Sequence, residues 1–85
     1  MTKEHNIKLV LNETLEKYDI SKNKLATTRG VRYPTIHDMC AHPHKVKQVN
    51  FITLSKIVES LNVISEEEQW DKTFNVNDVF VYKDD

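Results

Sequence analysis

The chain has 85 residues, 39% of them hydrophobic and 29% charged, with a net charge of −1, one Gly, two Pro and one Cys. That suffices for one small domain with a single core, and it argues against disorder or a glycine-rich phosphate-binding fold. No apolar run approaches the roughly 20 residues of a membrane span, the start MTKEHNIK is too polar for a signal peptide, and a lone cysteine forms no internal disulfide, so a reduced, cytoplasmic protein with no membrane partner is expected.

The predicted elements, in chain order, begin with a helix over 3–18. Ile7, Val10, Leu11, Thr14, Leu15 and Tyr18 form one stripe at a 3.6-residue period. Ser21 is a good N-cap for a short second helix, KNKLATTR, which Gly30 ends. Leu25 and Ala26 are its inward residues. A third helix runs from about Pro34 to Ala41, because proline suits a first turn where its missing N–H has no intrahelical partner. Its inner face is Ile36, Met39 and Cys40, with His37 and Asp38 projecting elsewhere. HPHKVKQ reads as a loop with a proline stop. Asn50 caps a fourth helix, FITLSKIVESLNV, with Phe51, Leu54, Ile57, Val58 and Leu61 as its apolar stripe.

The last third divides less clearly. Ser65 with Glu68 is a capping-box pattern, so EEEQWDK is expected to add a helical turn or two. Alternation of Val79 and Val81 with Phe80 and Tyr82 fits a strand, and a short helix after Asn77 is the rival. The expected organisation is a domain over 1–64 and an acidic extension over 65–85. The fold class is all-α, with four to five helices and a short C-terminal β-strand.

Charge is uneven along this order. Residues 1–62 hold ten Lys/Arg against six Asp/Glu, and 63–85 hold two against seven. Within 21–47 six basic residues and three histidines face one acid. This pattern suits a polyanionic partner or an unevenly solvated surface.

TIHDMCAHPHK, residues 35–45, concentrates the reactive side chains. A zinc site would join Cys40 to His37, His42 or His44, but the spacing matches no usual zinc template and Cys40 lies on an apolar stripe. A nucleophilic Cys40 would need a base and an oxyanion loop, and the sequence offers no such loop. Neither an enzyme nor a cofactor is expected.

Two short helices joined by a Gly-containing turn, with a helix before and after, describe a helix-turn-helix. SKNKLATTRGVRYPTIHDM resembles that of the Cro and phage-repressor family, the xenobiotic-response-element type. Leu25-Ala26, Gly30, Val31 and Thr35-Ile36 carry the resemblance, LSKIVESLNV resembles the family's fourth helix, and VNDVFVY is similar to its terminal segment. It covers about residues 7–63, and 76–82 loosely. The resemblance implies a double-stranded-DNA-binding transcriptional regulator, a bacterial or phage repressor, with helix 34–41 in the major groove. It places base reading on Tyr33, Pro34 and Asp38, with Arg32, Thr35 and His37 beside them. Phosphate contacts would fall to Lys22 and Asn23 at one helix start, and to His42, His44, Lys45, Lys47, Gln48 and Asn50 around the next. Tyr, Pro and Asp depart from the uncharged amide residues often found in the reading region.

A module this small is expected to work as a homodimer on a two-fold site. Trp70 and Phe74 are expected as core or interface anchors, and together with Val79 and Val81 they are the expected dimer contacts, with a strand pair formed across the two-fold axis. The competing reading is a helix-turn-helix-shaped protein-interaction module, an antirepressor or partner-binding regulator that does not bind DNA. Few arginines, Asp38 on the reading helix and the acidic tail favour it.

Overall fold

A computed structural model describes residues 6–82. The elements are β1 (Ile7–Leu9), α1 (Leu11–Lys17), α2 (Lys22–Thr28), α3 (Tyr33–Ala41), a 3-10 turn at Pro43–Lys45, α4 (Phe51–Glu68), a second 3-10 turn at Val76–Asp78, and β2 (Phe80–Tyr82). The protein is mainly helical, with one two-stranded antiparallel sheet. No helix among the described residues is long and apolar enough to cross a membrane.

The expected first helix is cut short. Residues 3–5 lie outside the described residues, and residues 7–9 form β1, which pairs with β2 in the register Ile7 with Tyr82, Lys8 with Val81 and Leu9 with Phe80. Val10 has no side-chain cap and donates its N–H to the Val79 carbonyl at 2.8 Å. Backbone pairing with the chain's far end therefore replaces a first helical turn that lacks a good N-cap. Leu11, Thr14 and Leu15 keep the inward phase and are buried, whereas Ile7 is exposed. Thr14 is tolerated there because its hydroxyl donates to the Asp78 carbonyl at 2.7 Å.

Three helices end in left-handed residues. Asp19 (φ 56°), Gly30 (φ 73°) and Gln69 (φ 58°) follow α1, α2 and α4. After each, an N–H returns to a carbonyl five residues back: Ile20 to Leu15 at 2.9 Å, Val31 to Ala26 at 2.8 Å and Trp70 to Ser65 at 3.1 Å. These bonds satisfy carbonyls that the helix leaves open and reverse the chain sharply. Ser21 and Asn50 start α2 and α4 as expected, accepting from the Lys24 N–H at 3.0 Å and the Thr53 N–H at 2.7 Å. Pro34 sits in the first turn of α3.

The fourth helix is longer than its apolar pattern predicts, running through Glu68. Ser65 starts no new helix. It is buried inside α4, and its hydroxyl donates to the Lys72 carbonyl at 2.7 Å. Leu54, Ile57, Leu61 and Ile64 are buried, but Phe51, expected on the same stripe, is 85% exposed. Its neighbour Ile52 is 71% exposed, so the first turn of α4 overhangs the core and phase alone does not bury it.

Residues beyond 64 belong to the same core. The expected boundary at 64/65 falls inside α4, and Phe74 (2% exposed) and Val79 (0%) cluster with Leu11, Leu25, Ile36 and Ile57. Burying each such side chain contributes about 1.5–3 kcal/mol. Trp70 is half-buried and lies 5.3 Å from Tyr18, whose ring meets Phe74 edge-on at 5.0 Å. Val81 is half-buried. Of these residues Phe74 and Val79 are interior, as core anchors, and β2 pairs with β1 of its own chain. The two rival readings of the terminal segment are both present in part, a 3-10 turn at 76–78 and then a strand at 80–82.

Candidate nucleic-acid interface

α3 is positioned by its inner side. Ile36 (0% exposed), Met39 and Cys40 are buried, and the helix packs against α1 and α2. Its outer side presents Arg32, Tyr33, Pro34, His37 and Asp38 to solvent, with Thr35 half-buried. Five of the six expected base-reading residues therefore stand on one exposed helix start. A ring row runs along this face. Tyr33 stacks on His37 with centroids 6.1 Å apart and planes at 22°, and His37 meets His42 edge-on at 6.0 Å. The i, i+4 spacing of Tyr33 and His37 is the sequence signal for the first contact. Nothing local signals the second, which joins a helix residue to one past its end.

Of the expected phosphate-contacting residues, Lys22 is half-buried, while Asn23, His42, His44, Lys45, Lys47, Gln48 and Asn50 are exposed. Asn50 already spends its side-chain oxygen on the Thr53 N–H, leaving its amide NH2 for a ligand. Lys22 and Asn23 begin α2, and residues 42–50 join α3 to α4, so the expected contacts occupy two separate chain segments.

Two carboxylates of α4 neutralise part of the basic segment. Lys24 of α2 pairs with Glu67 at 3.3 Å, and Arg29, the residue that follows α2, pairs with Glu59 at 3.8 Å, both partners standing on α4. These pairs are half-exposed and add little to stability, about 0–1 kcal/mol each. Their larger effect is on where positive charge remains. Arg32 and Lys45 make no ion pair among the described residues, and residues 39–58 contain three lysines, two histidines and no acid. Asp38 is the one carboxylate on the outer side of α3.

Cys40 packs inward, and burial pushes its thiol pKa up, Lys22 opposing this and Glu13 and Glu16 adding to it. A raised thiol pKa disfavours the thiolate that nucleophilic chemistry or metal ligation needs. Among the described residues no three His, Cys, Asp or Glu side chains come together as a metal ion requires.

In comparisons with known proteins, no family model, no curated protein and no solved structure matches this chain.

Proposed function

We propose that this protein is a sequence-specific double-stranded-DNA-binding regulator of transcription, a repressor of the Cro and phage-repressor type, with the start of α3 set in the major groove. The observation that carries the reading is the division of α3: its apolar side is fully used by the core, and its other side offers Arg32, Tyr33, Pro34, His37 and Asp38 beside a segment that carries no acid from 39 to 58. An α-helix fits the major groove, and side chains at its start reach base edges. Arg32 suits guanine O6 and N7, Tyr33 and Pro34 offer apolar surface to a thymine methyl, and Asp38 accepts from a cytosine amine. Each good base contact discriminates by roughly 1–3 kcal/mol. Lys45 and the exposed histidines suit phosphate, which sets position rather than sequence.

The second reading, a protein-interaction module that does not bind DNA, is favoured by Asp38 on the outer face and by the pairing of Lys24 and Arg29 with α4 carboxylates. Selection of binding sites from random duplex DNA separates the two. An enriched site whose sequence shifts with Arg32→Ala and whose affinity falls uniformly with Lys22→Ala supports DNA reading. Binding to that site should weaken steeply as salt rises. No enriched site at low salt would put the interaction module in its place.

A further inference from the structure

We infer that His37 and His42 together form a proton-coupled clamp for one phosphate group, so that His37 grips backbone rather than reading a base. In a continuous helix, residues five apart point about 140° away from each other. Here α3 ends at Ala41, and His42 leaves it at φ −132° and ψ 54°. Its ring lies beside that of His37, with centroids 6.0 Å apart and planes at 81°. Both residues are exposed, and neither imidazole has an ion-pair or hydrogen-bond partner among the described residues. An imidazolium N–H donates to a phosphate oxygen at about 2.7–2.9 Å, and two rings at this spacing can each turn one N–H toward the same anion. Tyr33, stacked on His37 at 6.1 Å, holds that ring in place before a ligand arrives. His42 opens the acid-free segment that joins α3 to α4, so an anion reaching it meets no opposing charge from residues 39–58.

The charge around the pair sets the direction of the effect. On the outer side its charged or titratable neighbours are Arg32, Tyr33 and Asp38 of α3, with His44 and Lys45 in the turn that follows. On the inner side α1 and α2 pack against α3, and Glu13, Glu16 and Lys22 act there on Cys40. Asp38 follows His37 directly, so it projects about 100° away around the helix, and it pairs with neither ring. Histidine is the side chain whose charge changes between about pH 5 and 8. Two positive rings 6.0 Å apart repel, and an anion lodged beside both offsets that repulsion. A docking phosphate therefore takes up protons, and affinity rises as pH falls. The gain needs both rings, so losing either one removes it. The inference rests on the DNA-binding reading for the source of the phosphate, a duplex backbone, while a free phosphate offers the same acceptor oxygens.

The test is fluorescence anisotropy of a labelled mixed-sequence duplex of roughly 20 base pairs, titrated with the full chain at about pH 5.5 and 7.5 and one low salt concentration. The expected result is binding roughly tenfold tighter at the lower pH. His37→Gln and His42→Gln, both at exposed positions, should keep the wild-type circular dichroism. Each alone should remove as much of the pH effect as the two together. His5 and His44 are present in every protein compared, so their share cancels. A missing pH effect, or one that the two substitutions remove in additive halves, would overturn the clamp and leave DNA binding in place. No binding of duplex at either pH would remove the DNA reading instead, and the clamp would then be decided with inorganic phosphate. In that arm, about 100 mM phosphate, against chloride at equal ionic strength, should raise the pH at which both rings titrate by NMR in the wild type. It should leave the remaining ring of each variant unmoved. Wild-type rings that phosphate does not move would overturn the clamp.

Discussion

Asn62 on α4 holds the main chain of Phe74 with both ends of its amide. Its Oδ1 accepts the Phe74 N–H at 2.7 Å, and its Nδ2 donates to the Phe74 carbonyl at 3.1 Å. One side chain thus does what a neighbouring strand would do, at a point where the chain turns back to bring Phe74 into the core. Asn62→Ala leaves a part-buried N–H and C=O without partners, and each such loss costs about 1–3 kcal/mol. Urea denaturation should show Asn62→Ala destabilised by ~2–4 kcal/mol, with Asn62→Asp also destabilised because its carboxylate cannot donate to the carbonyl.

Ser60 presents the opposite case. Its hydroxyl is fully buried on α4 and has no hydrogen-bond partner among the described residues. Removing an unpaired buried hydroxyl relieves its desolvation cost while losing few packing atoms. Ser60→Ala should be neutral or up to about 1 kcal/mol more stable in the same denaturation experiment. A loss above that range would mean the hydroxyl has a partner.

The left-handed helix ends give a paired prediction. A Cβ on Gly30 meets nothing within 4 Å, so Gly30→Ala tests conformation alone at φ +73°. It should cost about 1–2 kcal/mol. Gln69 occupies the same region at φ 58° with a side chain present, so Gln69→Gly should gain about 0.5–1 kcal/mol at a surface site. Thermal melts of both variants check the opposite signs.

Cys40 supplies a pH prediction. Burial raises its thiol pKa above that of the unfolded chain. The folded state then holds its proton after the unfolded state has lost it. Stability is unaffected by this group below the unfolded value of about 8.5 and falls as pH rises beyond it. Denaturation between neutral and alkaline pH should show this decline, and Cys40→Ala should lose that part of the slope. Thiol reagents should label Cys40 slowly in the native chain and readily in urea.

The α2–α4 ion pairs bear on function rather than stability. Glu59→Gln and Glu67→Gln free Arg29 and Lys24 from their partners. Each should change stability by less than ~1 kcal/mol. Under the DNA-binding reading each should tighten binding and make its salt dependence steeper, because another cation becomes available to phosphate. Equal affinity for the variants and the wild type would place α2 away from the nucleic acid.

Much of the fold was legible where the relevant forces are local. Ser21 and Asn50 announce helix starts because a side-chain oxygen satisfies an N–H three residues on, within the same segment. Gly30 announces a helix end because its φ is set by its own missing Cβ. The inward phase of Ile36, Met39 and Cys40 follows from helical period, and so does the outward set that makes α3 a candidate site.

Other elements were decided by what lies opposite. Residues 7–10 carry a helical stripe, yet they pair with residues 79–82, which no local window contains. Phe51 keeps the right phase but overhangs the core, so its exposure depends on where the neighbouring helices stop. Phe74 and Val79 read as an extension with spare apolar surface until Asn62, Thr14 and β1 fold that extension back. The sequence by itself determined α2 and α3, the start of α4, the caps Ser21 and Asn50 and the two faces of α3, because those rest on bonds and periods a few residues long. Only the tertiary structure decided that the chain's two ends close one sheet and that Phe51 and Ile52 are left facing water, because both depend on contacts between residues far apart in the chain.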